Sequence, residues 1–393
     1  MKYDVIIVGG GPAGCSAAIR IARAGLKPLL LEEKHMPREK LCGEFIAPEC
    51  FPTLRRLDVF DRCLDAGAQK ITSIKLIPSR GAPVAASISE VSRLSPFALS
   101  LSRARLDQIL FDTARQAGAV CLEGMAASRL IIEDGIACGI EALSLGDGES
   151  RTFRGLLVVD ASGRSSRLTL THSERVGGER GSRLYALKAH LDMVEGIEDQ
   201  VELYFFSNGY GGLSRVEGEK VNLCFIASER AFKAAAGDPR KIVETTIMRN
   251  PLARERLGKA EVSGRWLSTG PLTFGVRRLT RGGVITAGDS SGMIDPFTGT
   301  GIQIALRSGE LAALAIISAF KSGGHAGATN GAGLFGRVAE YYRAAYEEEF
   351  GQRIRVAGLL RRAVFSPIIL NYLSVILARA PWLARRLLRA TRA

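Results

Sequence analysis

Three glycines near the start of the chain, Gly9, Gly11 and Gly14, stand in G-x-G-x-x-G spacing, and two acids, Glu32 and Glu33, follow the next apolar run. These residue types suit a bound anion and a sugar. Gly9 permits a tight strand-to-helix turn, Gly11 lets backbone approach a diphosphate, and Gly14 lets helix and strand pack closely. Pro12 and Ala13 lie between them at the start of a helix, whose free N–H groups carry the positive end of the dipole. Glu32, 23 residues after Gly9, is placed to accept both hydroxyls of an adenosine ribose and disfavours a 2′-phosphate there. The bound nucleotide reads as NAD or FAD rather than NADP.

The elements that must position these groups are legible around them. Val5 to Val8 is a buried-strand run, Ala13 to Ala24 an apolar helical pattern closed by Gly25, and Pro28 to Leu31 a second strand. A second motif that brings a strand to a helix start lies at residues 284–320. A short strand, Val284 to Ala287, delivers Gly288 and Asp289, and then Pro296, Gly299, Thr300 and Gly301 lead into a long helix from Ile302. The N–H groups at that helix start can stabilise negative charge, which gives Gly299 and Gly301 a catalytic reading through their backbone. After Glu33, Pro37 breaks regularity and leaves a loop holding Arg38, Lys40, Cys42 and Gly43 before a helix from about Pro48 to Leu57. Leu101 to Gly118 is an amphipathic helix with Leu106, Ile109, Leu110 and Ala114 on one face. Residues 70–100 and 172–270 alternate apolar and polar between glycine turns, which predicts antiparallel strands with a helix around Pro239 to Met248.

Composition bounds the function class. At 393 residues the chain exceeds one ordinary core, so two domains are expected. No apolar run is expected to reach the roughly eighteen residues of a membrane span, and no signal peptide is expected, since Met1 runs directly into the first strand. Seven scattered cysteines without C-x-x-C pairs argue for reduced thiols and no metal site, and for a cytoplasmic compartment. The net charge of +13 is concentrated at the end: residues 352–393 hold nine arginines and no acid, leaving 44 basic against 40 acidic residues elsewhere. No zinc-finger or RNP-like pattern accompanies it, so nucleic acid is not expected.

The string P-R-x-K-x-C-G after the ribose-binding acid resembles the geranylgeranyl reductases and their relatives among FAD-dependent oxidoreductases, which share a fold with p-hydroxybenzoate hydroxylase and the flavin-dependent halogenases. The resemblance spans roughly residues 3 to 380 and implies non-covalent FAD. It places Arg38 near the cofactor phosphates, Cys42 and Gly43 along the flavin with Cys42 near the isoalloxazine face as a catalytic candidate, and Arg103, which opens R-x-x-L-D, against the FAD. It implies that Asp289 binds the ribityl hydroxyls, a group NAD lacks, and that the helix start at Gly301 faces the N1/C2=O edge of the flavin. Asp160, Ser162 and Gly163 form the D-A-S-G variant found in halogenases and reductase-like members, where aromatic hydroxylases carry Asp-Gly. Gly209 to Arg215 stands where geranylgeranyl reductases have G-Y-G-W-x-F-P, which makes Tyr210, Gly211 and Leu213 the substrate-binding candidates. The halogenase string W-x-W-x-I-P is absent, with Trp266 standing alone.

The expected architecture is α/β: a Rossmann-type FAD domain assembled from residues 1–70, 101–171 and 272–330, an inserted β-sheet substrate domain from 71–100 and 172–271, and a helical extension over 331–393. No second dinucleotide unit follows, so NAD(P)H or another reductant is expected to act transiently. The expected activity is reduction or dehydrogenation of C=C bonds in a hydrophobic lipid-, isoprenoid- or polyketide-like small molecule. A monooxygenase and a non-catalytic electron-relay protein are the alternatives. In the tail, Leu383, Ala384, Leu387, Leu388 and Ala390 share one helical face and Arg385, Arg386, Arg389 and Arg392 the other. That pattern suits the inner surface of an anionic membrane as well as packing on the protein.

Overall fold

The architecture is that of a computed structural model, which describes residues 2–79, 82–169, 183–207, 209–293, 295–327 and 331–364. The expectations for the tail at 367–393 lie outside the described residues.

Strand β1 (Lys2–Val8) turns into helix α1 (Pro12–Arg23) and returns as β2 (Pro28–Leu31). The apolar runs of both strands end in fully covered residues, because helices and strands close over them from both faces. β1 pairs in parallel with β2 on one side and with β3 (Ser150–Asp160) on the other, and β3 pairs in parallel with Val284–Thr286. The register aligns Val8 with Leu31 and with Asp160, and Asp160 with Thr286. Four carboxyl ends therefore meet at one edge of the sheet, where α/β folds place their ligands. An antiparallel hairpin, Met125–Glu133 and Ile136–Ser144, extends from β3 away from that edge.

Three helices complete this layer. α2 (Arg103–Gln116) starts at Ser102, whose Oγ accepts from Arg105 N, and buries Leu106, Ile109, Leu110 and Ala114 as its periodicity requires. α3 (Gly301–Gly327) packs along α1, and α4 (Gly331–Val364) packs on α3. The crossing of α1 and α3 is tight. A Cβ on Gly309 would lie inside the radius of the Ala13 carbonyl oxygen, and Ser16 Oγ donates to Leu306 O at 2.8 Å. The expectation that no run is long and apolar enough for a membrane is corrected here: Gly301–Ser322 passes on length and composition, but 72% of it is buried within the protein. A core helix meets the same hydropathy test as a membrane span.

The second layer is a seven-stranded sheet containing Ser73–Ile77, Val84–Ser87, β4 (Leu184–Asp192), Gln200–Phe206, β5 (Gly209–Arg215), β6 (Val221–Ser228) and Glu261–Thr269. It is not wholly antiparallel, since Ser73–Ile77 runs parallel to Gln200–Phe206. Gln69–Ile71 and Ala98–Ser100, expected in this layer, instead form a separate small sheet with Phe45–Ile46. The helix expected around 239–248 is Pro239–Thr245 followed by a short 3-10 turn, and with Pro251–Leu257 it covers the outer face.

Gly309→Ala tests the helix crossing. Helix propensity alone favours alanine by about 1 kcal/mol, whereas overpacking a tight core costs about 1–3 kcal/mol. The crossing should decide the sign, giving a lower melting temperature; a higher one would show that α1 and α3 can separate freely.

Candidate functional site

The shared strand edge gathers the first set of expected groups. Gly9 adopts φ +107 and a Cβ there would overlap the Ala161 carbonyl, while a Cβ on Gly14 would overlap Gly9 O. Both positions therefore require glycine. Pro12 and Ala13 are buried in the first turn of α1. At Gly11 a Cβ would instead project into the space in front of the helix, 3.7 Å from Arg103 Nη2 and 3.8 Å from Arg38 Nη2. The cradle is thus open at a helix start and lined by two guanidinium groups.

Those cations are held by a buried carboxylate. Asp107 is fully covered and accepts from Arg38 Nη1 at 2.9 Å and from Arg103 Nε and Nη2 at 2.8 and 2.6 Å. Burial opposes its ionisation, but Arg103 and Arg38 hold its carboxyl below the usual range. Lys40 joins them, its Nζ lying 3.3 Å from the position of a Cβ on Gly163. Burial, with Arg103 and Arg38 alongside, lowers the Lys40 ammonium below the ordinary lysine value, while the charge of Asp289 works the other way. Arg38, Lys40 and Arg103 stand against two carboxylates, Asp107 and Glu32, and a diphosphate would balance the excess cation.

Glu32 is buried and fully engaged. It accepts from Gly10 N at 2.7 Å, Lys34 N at 3.1 Å, and Arg38 Nε and Nη2 at 3.1 and 3.3 Å. Ribose hydroxyls would take the two positions now held by Arg38. Glu33 beside it is exposed. Asp289 sits half-buried in a short 3-10 turn after Gly288, and its carboxylate has no hydrogen-bonding partner among the described residues. A polyol chain reaching that carboxylate would supply the missing donors. Pro296 opens the turn Pro296–Thr298, Gly299 at φ +68 closes it, and Gly301 starts α3 behind buried Thr300. Ile302 sends its side chain into the core, leaving only its backbone N–H for a ligand.

Two expectations are corrected. Asp160 was expected among the cofactor contacts, but its buried carboxylate accepts from Ser162 N and Oγ, Ser166 Oγ, Thr169 Oγ1 and Ser290 Oγ at 2.5–3.3 Å. With so many protein donors it shapes the turn at Ser162 and Gly163, which Ser290 also binds, rather than meeting a ligand itself. Gly211 and Leu213 were expected to bind substrate. They point to the helix-covered face of the sheet, where Leu213 is fully buried and a Cβ on Gly211 would meet Phe225 and Ile247. Strand alternation sends only Tyr210 to the inner face, where its hydroxyl donates to Asp295 Oδ1 at 2.6 Å and its ring lies among Phe205 and Phe297.

Cys42 and Gly43 lie on the loop between the two layers. Cys42 Sγ accepts from Glu44 N at 3.3 Å and the Arg103 guanidinium lies against it. Sequence reasoning missed what surrounds this loop, Glu44, Lys188, His190 and Asn222, and Asp107 in the cradle; it named Lys40 in the loop without giving it a role. Asp107 was visible four residues after Arg103 in the same helix. Lys188 and His190 were visible as charges on the inward side of an otherwise apolar strand.

The cradle generates a prediction for the loaded cofactor. Asp289→Ala should lose most bound flavin, and Lys40→Met should weaken binding roughly tenfold or more, as expected for a hydrogen bond to a charged group. Because an anion restores Lys40 towards its usual value, binding takes up a proton. Affinity should therefore fall as pH rises through the lowered Lys40 ionisation, and flavin titration of Lys40→Met should lack that slope.

The comparisons with known proteins agree with this reading of the cradle. The chain is 27% identical over 329 residues to a digeranylgeranylglycerophospholipid reductase of Methanococcoides burtonii, covering 80% of this chain and 75% of that protein. It is 25% identical to conditioned medium factor receptor 1 of Dictyostelium discoideum, covering 94% and 72%. Among solved structures, a flavin-dependent brominase superposes with a TM-score of 0.79 at 19% identity, covering 99% of this chain and 94% of that one. A geranylgeranyl bacteriochlorophyll reductase-like protein of Thermoplasma acidophilum gives 0.76 at 22%, covering 93% and 88%. The FAD binding domain model matches residues 2–328, and with a glycine-turn cradle, the Asp289 carboxylate and two helix starts at one edge, the chain belongs to that FAD-binding family of oxidoreductases.

Proposed function

We propose that this flavoenzyme reduces C=C bonds of a hydrophobic, isoprenoid- or lipid-like small molecule, with NAD(P)H or another reductant as transient electron donor. The observation that carries the reading is the apolar inner face of the second sheet. Leu184, Ala186, Phe205, Tyr210 and Ile226 face Leu272 and Phe297 beside the Pro296–Gly301 helix start. The reductases among the relatives support the same class of substrate.

Bound FAD would supply two-electron chemistry, and the chain's own groups define where it happens. Arg38, Lys40, Arg103 and the start of α1 would hold the diphosphate, and Asp289 the ribityl chain. The backbone N–H groups from Gly299 to Ile302 would stabilise negative charge at the flavin edge they face. The aromatic face would orient an apolar substrate and exclude water. Asp295 holds the Tyr210 hydroxyl, and burial followed by the charge of Asp295 raises its ionisation well above the ordinary value. Tyr210 therefore stays protonated as a hydrogen-bonding wall.

A monooxygenase is the second reading, kept because flavin-dependent halogenases stand among the relatives. The lone Trp266 packs edge-on against Phe225 on the helix-covered side of the sheet, away from this pocket, which weighs against halogenation. We also infer that the arginine-rich tail holds the enzyme at an anionic membrane; a chain ending at Ala378 should then sediment with anionic vesicles less than the full chain at low salt.

Single-turnover reaction of the reduced enzyme separates the readings. Geranylgeranylated lipid mixed with it anaerobically should gain two hydrogens per bond by mass spectrometry and reoxidise the flavin. Reoxidation only with dioxygen, and ¹⁸O in the product, would replace the reductase reading by the monooxygenase one.

A further inference from the structure

We propose that Glu44 and Lys188 are positioning residues that fix the Cys42 thiol, and the Arg103 beside it, next to the cofactor groove. Glu44 is fully buried at a backbone φ of +58. A residue with a side chain rarely adopts that conformation, and it persists only where surrounding contacts hold it. Every polar group of Glu44 is held. Its carbonyl accepts from Leu101 N and Ser100 Oγ, both at 3.2 Å. Its Oε1 accepts from Arg103 N at 2.8 Å and from Lys188 Nζ, and its Oε2 pairs with His190 Nε2 at 2.6 Å. The N–H left over donates to Cys42 Sγ at 3.3 Å.

The other half of the grip comes from the sheet. Lys188 on β4 is 1% exposed, so its ammonium must be matched locally. It meets Glu44, Glu39 Oε2 at 3.1 Å and the Lys40 carbonyl at 3.4 Å. Asn222, directly opposite His190 on β6, donates to the Cys42 carbonyl at 3.2 Å. Two neighbouring strands thus hold the loop by the carbonyls of residues 40 and 42 and by the carboxylate of residue 44. The ligating atoms of Glu39, Glu44 and His190 lie within 4.8 Å of one another, as in a metal site. The Lys188 ammonium fills the place a cation would take.

The consequence is read at sulfur. The Glu44 N–H fixes where the Cys42 sulfur points, so its reactivity reports on the anchors of the loop. Lys188→Met removes one anchor with little change in volume, and Glu44→Gly keeps the backbone conformation accessible while removing the side-chain ties. In the full chain, before and after loading with FAD, iodoacetamide labelling of Cys42 read peptide by peptide at one fixed pH should change in rate by about tenfold in both variants, because the loop that carries the thiol loses a charge-assisted tie. Glu44→Gln, which keeps the acceptor shape, should fall between them and wild type, with Cys121 and Cys138 unchanged as internal controls. Lower melting temperatures with an unchanged Cys42 rate would overturn the proposal and leave the cluster as packing. So would a wild-type Cys42 that fails to react at any pH, or a rise in wild-type melting temperature on adding Zn²⁺ or Mn²⁺.

Discussion

The parallel register of four strands is the constraint on which the rest of the structure depends. Val8, Leu31, Asp160 and Thr286 end level with one another. The residues just beyond them, from Gly9, Glu32, Ala161 and Ala287 onward, therefore share one edge although they are as much as 278 positions apart in the chain. Every ligand-directed feature follows from that alignment. A slip of one residue in any pair would turn alternate side chains from one face to the other and move a glycine turn out of line with the others.

At that edge the protein solves an electrostatic problem in advance. Arg38 and Arg103 are almost completely buried, and buried cations are tolerated only when paired. Asp107 pairs them from beneath, so they can face the open side of α1 without collapsing into the core. Glu32 pairs with Arg38 as well, and Lys40 adds a third cation, so the set keeps a positive excess and room for an anion. Burial first, and then Arg103 and Arg38 beside it, lower the Lys40 ionisation there.

The second sheet contributes in a different way. Its outer face is ordinary packing against helices, and its inner face is divided. One part is aromatic and aliphatic around Tyr210 and Phe297; the other is the ionic patch of Lys188, His190 and Asn222 that holds the loop of residues 39–44. The same strands that form the wall of the pocket therefore also hold the loop that runs beside the cofactor cradle. Contact with one is mechanically continuous with the other.

The sequence by itself determined the FAD-binding cradle, because its parts are local. Glycine turns, helix starts and the acid after β2 are fixed by backbone conformation within a few residues, and Gly9 and Gly14 lie where their spacing placed them; Arg38, Arg103 and Asp289 were named by the family resemblance, not by spacing. Tertiary structure decided what depends on faces and on partners distant in the chain. Tyr210 faces inward and Leu213 outward because period-two alternation had to be set against the helices that cover one side. Asp160 became a structural acceptor because Ser166, Thr169 and Ser290 fold back onto it. Lys188 reaches Glu44 across 144 residues, and no local pattern encodes such a pair. A buried charge in a strand signals that a partner must exist, but only the folded chain shows which one it is.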